Sequence, residues 1–403
     1  MHAILEYIGV MLSMIVLLAI TNYSLMIFAR DALHVREEQL YTAAERVMDK
    51  ILLTTGYPPD WGSGFESYNA SLSDYGLARY GSRVPYELDP DKVVRLANLS
   101  DLPNPLLVRG ESIAELLDLK GKYGFRLTIE PLLKCEVSAL EYLRVKGTMV
   151  PVKFRVELTN AFGRSIPSAL VNVTYLLICV KPGVGGKEIM DVREIIRSAN
   201  VTDAGGECTL DLSEEVAELT KGDELKGYSR LLSVLIVYAN WNQVPTTSVF
   251  AGDSEGSPVT GYLIGSYLVL NANLSLIPRA AVLVKDEVLQ VLPQSDALIP
   301  VEVTELKPAD GDAPPAYRVI NHGAFRYKVF RLEYLDDQTM YIIAVGQWRG
   351  SVIPIVIERI PRISVGYGAE HVTPVNGVTL TRIAYFSGFP YVVKLSMWRV
   401  SEG

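Results

Sequence analysis

Cysteine and histidine are both scarce in this chain. The three cysteines, Cys135, Cys179 and Cys208, are too few and too widely spaced for a zinc site or a disulfide framework, so at most one bridge is possible. The four histidines, His2, His34, His322 and His371, show no metal-ligand spacing, and the HExxH pattern is absent. Clusters of Lys and Arg are missing as well. With a formal net charge of -8 there is no electrostatic footprint for nucleic acid, and no nucleic-acid partner is expected. Short repeats and low-complexity tracts are absent too. A composition of 49% hydrophobic and 21% charged residues is a globular balance that excludes long disorder. A chain of 403 residues is long enough for two or three domains, each with an adequate core.

Patterns with catalytic precedent are incomplete. GDSEG, residues 252–256, matches the G-x-S-x-G nucleophile turn around Ser254, and TTSVFA before it can form the required strand. The sequence after it is SPVTG, a turn where the mechanism needs a helix, and neither His322 nor His371 sits in a motif. ADGD at 309–312 lacks the remaining ligands of a hand-type calcium site. GVGGK at 183–187 lacks the hydroxyl residue after Lys that a phosphate loop needs. No enzymatic activity and no cofactor is therefore expected, a secreted hydrolase using Ser254 being the weakest alternative.

The N-terminus carries the strongest signal. From Ile8 to Phe28 no residue is charged, about the ~20 residues a helix needs to cross a bilayer. A basic n-region and an A-x-A-like cleavage site are both missing, which favours a retained helix over a signal peptide. Beyond Phe28 the helical pattern continues without Gly or Pro. Leu33, Leu40 and Val47 recur every seventh residue, with Ala44 and Ile51 completing the stripe and Glu37 as its misfit. A helix from Ile4 to about Thr55 would be roughly 75 Å long. Gly56 then supplies a C-cap, and Pro58 and Pro59 forbid continuation. Two short helices are expected next, one capped by Asp89 with Pro90 in its first turn, the other capped by Ser112 and stopped by Gly121.

From Tyr123 the period becomes two. In VPVKFRVELTN, Val150, Val152, Phe154, Val156 and Leu158 face one way and the polar residues between them face the other. Further strands follow at short intervals, separated by AFG, DAGG, LDDQ and PVNG turns. The fold class expected is α+β, a long transmembrane and amphipathic helix followed by predominantly antiparallel, Ig-like β-sandwich domains. The expected divisions are 1–55 for the helix, 56–135 for a connecting region, 136–250 for a first sandwich and 251–403 for a second β-rich domain. Cys179 and Cys208 fall on inward-facing positions of one sandwich and could be bridged.

The first third, with Gly56, Pro58 and Trp61 after the long helix, then YGLARY (75–80), ELDPDKVVRL (87–96) and YGFRLTIEP (123–131), resembles the archaeal type IV pilin-like surface proteins. The resemblance covers roughly residues 1–135. It implies a helix that serves first as a membrane anchor and then as the core of a filament, with Glu6 pairing to a neighbouring subunit's amine. Membrane lipid, further copies of this chain and other pilin-like subunits are the partners it implies. Such precursors carry a short basic leader, whereas only Met1 and His2 precede Ala3, so a non-polymerising surface receptor or ligand-binding protein is the alternative expectation.

Orientation can be read from two signals that oppose each other. Arg30 and Arg36 follow the apolar run and none precedes it, which would place the bulk of the chain in the cytoplasm. Six of thirteen asparagines lie in N-x-Ser/Thr sequons: Asn22 in the span, and Asn69, Asn98, Asn172, Asn200 and Asn273 beyond it. That excess over chance favours an extracellular, glycosylated bulk on a single-pass anchor. Glu6, Leu17, Leu40 and Val47 are the residues expected to decide anchoring and assembly.

Overall fold

The computed structural model describes residues 2–63, 72–99, 102–145, 147–182, 188–220, 227–228, 230–251, 261–273, 275–285, 301–308, 318–322, 325–332, 335, 339–348, 351–368 and 377–400. Apart from the first helix the chain is mostly β, and every paired strand among these residues runs antiparallel to its neighbour.

Helix α1 (His2–Leu53) is a single element of 52 residues, about 78 Å at 1.5 Å per residue. It ends before Gly56, whose φ of +70° suits glycine; a Cβ there would lie 2.7 Å from the Asp74 carbonyl oxygen. Helix α2 (Pro90–Val94) begins as its sequence dictates, with Asp89 accepting the Asp91 N–H at 2.9 Å and Pro90 in the first turn. Helix α3 (Gly110–Leu116) begins earlier than the Ser112 cap would place it. Its start is set by a tertiary contact: a Cβ at Gly110 would lie 1.8 Å from the Gly366 carbonyl oxygen, so only glycine lets the helix end close on that strand.

The head of the molecule is built from both ends of the chain. Strand β1 (Tyr123–Pro131) pairs on one side with β17 (Ile363–Tyr367) and on the other with β19 (Phe389–Arg399), which pairs in turn with β18 (Val378–Phe386). Leu380, Leu395 and Leu127 lie in one row across this sheet and are buried with α1, α2 and α3 in one hydrophobic cluster. The 251–403 division is corrected by this pairing. Residues 363–399 belong with the N-terminal region.

Between β1 and β17 two further units are inserted. The first is a seven-strand sandwich: β2 (Leu133–Val145), β3 (Thr148–Asn160) and β6 (Glu207–Asp211) face β5 (Glu188–Val201), β4 (Leu170–Pro182), β7 (Arg230–Trp241) and β8 (Val244–Ala251). The order is Ig-like, with the fourth strand paired to the third rather than to the fifth. Helix α4 (Ser213–Thr220) follows β6 and buries Val216 in the sandwich core. Along β7, Leu231, Leu235 and Val237 enter that core, while Leu232, Val234 and Ile236 on the opposite face join the cluster shared with the head. A sheet covered on both faces requires unbroken apolar strands, which is why LLSVLIVYA does not alternate.

The second inserted unit is one curled sheet. It runs β16 (Ser351–Glu358), β15 (Thr339–Trp348), β11 (Ser275–Lys285), β12 (Val301–Pro308), β14 (Phe325–Leu332), β10 (Tyr267–Asn271) and β9 (Tyr262–Ile264), with β13 (Arg318–His322) also on β14. The two edges β9 and β16 approach each other around Leu263, Leu268, Phe330, Ile342 and Ile355.

Candidate anchoring surface and its junction with the head

The two parts of α1 differ in what surrounds them. From Leu40 onward Leu40, Ala44, Val47, Met48, Ile51 and Leu52 are buried against the head. Each large side chain so buried contributes about 1.5–3 kcal/mol. From Met11 to Ile27 every described side chain except Ser24 is exposed, Leu17 at 66% and Met26 at 75%. The few polar groups in this stretch are partly satisfied within the helix. Ser13 Oγ donates to the Gly9 carbonyl at 2.8 Å and Thr21 Oγ1 to the Leu17 carbonyl at 2.7 Å, so neither hydroxyl needs water.

Among the described residues no helix is long and apolar enough to cross a membrane. The exposed apolar stretch whose side chains are described, Met11 to Ile27, is shorter than the ~20 residues of a full span. The expected span of Ile8 to Phe28 extends beyond it at both ends, and the Glu6 side chain lies outside the described residues.

Just past the end of α1, two donors converge on the Thr55 carbonyl. Trp61 Nε1 donates to the Thr55 carbonyl at 3.2 Å and to the Gly76 carbonyl at 3.1 Å, with its ring 6.0 Å from that of Tyr75. Lys92 Nζ donates to the same Thr55 carbonyl at 2.9 Å and to the Ala78 carbonyl at 2.8 Å. This lysine is fully buried, and burial lowers its pKa against the opposing pull of Asp89, whose carboxylate lies 3.7 Å away. A cation at this end suits the partial negative charge of a helix C-terminus. The motif Gly56, Pro58, Trp61 and the ELDPDKVVRL segment thus form one collar that turns the chain from α1 into the head.

Adjacent to the collar, the head grips the curled sheet. Asp91 Oδ1 accepts the Gly265 N–H at 3.1 Å and lies 3.8 Å from the Arg359 guanidinium. Burial raises the Asp91 pKa despite the opposing pull of Arg359. Tyr262 donates to the Leu102 carbonyl and accepts the Leu99 N–H at 2.7 Å, and Tyr327 donates to the Pro103 carbonyl at 2.7 Å. Apart from Asp91, which lies in ELDPDKVVRL, none of these residues belongs to a sequence motif. Their pairing joins positions more than 150 apart, and no local pattern announces it.

The remaining candidates are dispersed. Cys179 and Cys208 both enter the sandwich core, yet no bridge joins them and all three cysteines are thiols. They stand on opposite sheets, which stack about 10 Å apart, beyond the ~7 Å between Cα atoms that a disulfide tolerates. Burial pushes the Cys208 thiol up to about 11 and raises Cys135 further, so neither is a ready nucleophile. Asn98, Asn200 and Asn273 are exposed. Asn200 Nδ2 already donates to the Thr209 carbonyl at 2.8 Å. Asn172 is half-buried on the central strand β4. Asn69, Ser254, His371, the ADGD turn and the GVGGK turn lie outside the described residues, as does the side chain of His322 on β13. Among the described residues no group of three or more His, Cys, Asp or Glu could hold a metal ion. A groove of about 690 Å³ lies beside the edge strand β17, lined by Leu96, Leu107, Val108, Arg109, Val365 and Tyr367 among others.

No family model matches the chain, and no curated protein matches it.

Proposed function

We propose that this chain is a membrane-anchored, pilin-like surface protein of structural or adhesive function, with its β units displayed outside the cell and glycosylated on exposed sequons. The observation that carries the proposal is the apolar, exposed surface from Met11 to Ile27 on the same helix whose later turns are the core of the head. A helix apolar on all sides is not stable bare in water. Lipid covers it in the anchored state, and the helices of further copies or of related subunits cover it in an assembly. The collar at Thr55, Trp61 and Lys92 fixes the head to the end of this anchor, and the inserted units project from the head.

The test is protease treatment of intact cells followed by vesicle flotation. The β units should be digested from outside, and a fragment containing Met11 to Ile27 should stay with the membrane. Survival of the β units until the cells are lysed would overturn the external placement. A fragment that fails to float with lipid would overturn the anchor. The groove beside β17 favours, as a second reading, a surface receptor that anchors alone. Electron micrographs of shed surface material separate the two, since filaments are expected only from the first.

A further inference from the structure

The sheet of the head has two edges, and the chain covers them unequally. The edge at β17 is closed by the start of α3, where Gly110 stands against the Gly366 carbonyl. The edge at β18 is covered only at one end. There Glu87 pairs in parallel with Tyr385, whose N–H donates to the Tyr86 carbonyl and whose carbonyl accepts the Leu88 N–H, both at 2.9 Å. Tyr86 adopts a left-handed φ of +60°, which breaks the extended run, and no described residue before it pairs with β18.

Backbone groups of alternate residues in an antiparallel strand point the same way. Those of Tyr385 point away from β19, so those of Ile383, Thr381 and Thr379 do as well, and among the described residues no backbone group pairs with them. The Thr381 carbonyl is met only by the Arg382 guanidinium, at a long 3.3 Å. Edge strands are ordinarily protected by proline, lysine, a bulge or a cover. The strand VTLTRIAYF contains neither proline nor lysine, and its register with β19 is unbroken. Thr379, Thr381, Ile383 and Tyr385 are exposed on the face away from the core.

We infer that the open edge of β18 is a docking site for an extended, acidic segment of a partner protein, which joins the four-stranded head sheet beside Thr379, Thr381 and Ile383. Only an extended backbone offers donors and acceptors at the spacing these three residues present. The charge of the segment follows from Arg382. This side chain is half-buried at the same edge, makes no ion pair among the described residues, and bends along the edge to the Thr381 carbonyl. A carboxylate on the incoming strand is a stronger acceptor and takes the guanidinium from that long bond. A second copy of this chain is a poorer occupant. The antiparallel register that pairs all three residues sets the two copies' Arg382 side chains diagonally on one face, within reach of each other, where like charges repel. The site does not depend on how α1 is anchored.

The probes are short peptides of alternating Val and Thr with a single Glu placed at each position in turn, and their counterparts with Lys for Glu. Amide hydrogen exchange is followed on the full chain in detergent. At a free concentration about ten times Kd, a Glu peptide should slow exchange at Thr379, Thr381 and Ile383 about tenfold. The Leu380 and Arg382 amides, which point toward β19, should be unchanged. The Lys counterpart should bind up to about fivefold more weakly. Thr381→Pro removes an outward N–H at a position an edge strand tolerates, and should abolish the protection while the head keeps its thermal midpoint. Arg382→Glu should reverse the preference in favour of the Lys peptides. No protection with any Glu peptide up to about 1 mM would overturn the site, as would protection that survives Thr381→Pro or equal binding of Glu and Lys peptides. Protection that appears without peptide and grows with protein concentration would assign the edge to a second copy and overturn the acidic partner. Should Thr381→Pro fail to fold, the wild type and Arg382→Glu still decide it.

Discussion

The two halves of α1 share one backbone and one uninterrupted hydrogen-bonding pattern, yet they are held in opposite ways. The later half is fixed by protein, with Leu40, Met48, Ile51 and Leu52 buried in the head. The earlier half touches nothing within the chain that would cover Leu12, Leu17 or Met26. Helix geometry alone does not distinguish them. The difference lies in polarity: the later half carries one apolar stripe and a charged back, as a helix with a single protein partner requires, whereas the earlier half is apolar all round, as a helix immersed in an apolar medium requires.

The same substitution placed in each half gives the sharpest contrast. Leu40→Asp buries a carboxylate without a partner and should cost the head about 4 kcal/mol or more, seen as a large fall in the thermal midpoint. Leu17→Asp should leave that midpoint unchanged and instead weaken membrane partition by about 3 kcal/mol, read by flotation. Equal destabilisation of the head by both would erase the division. A smaller effect is expected at the collar. Lys92→Met removes the donor shared by the Thr55 and Ala78 carbonyls and should cost about 1–3 kcal/mol in denaturant unfolding, with membrane partition unaffected. Smallest of all, Leu53→Ala alters a side chain that is 51% exposed although it borders the buried stripe, and unfolding should shift by no more than about 0.5 kcal/mol. A loss several times larger would mean that this face is covered in the functional state.

Periodicity made much of this legible. The stripe of Leu40, Ala44, Val47 and Ile51 marked the helix face that the head buries, and the alternation from Val150 to Leu158 marked the inward face of β3. The sandwich spans β2 to β8, Leu133 to Ala251. The return of β17, β18 and β19 to the head was illegible, because a strand carries no local mark of a partner more than 200 residues away. Short strands such as β9 and β10, and the mixed-polarity β2 and β5, escaped the period-two reading for want of length or contrast. At the junctions Lys92, Asp91 and Arg359 look in sequence like ordinary surface charges. Only tertiary burial gives them their roles, and burial of a charge is a property of its surroundings rather than of its neighbours in the chain.

The inserted units leave the head from the end of β1 and return at the start of β17, where Ile129 and Ile363 stand opposite each other. The two connections are therefore adjacent strands, about 4.8 Å apart, and both are entered from the same end. A pull on the inserted units loads both strands along their length. Extracting β1 would require all nine of its residue pairs with β19 to slide at once rather than open one after another. The attachment thus works in shear, with two covalent tethers sharing the load.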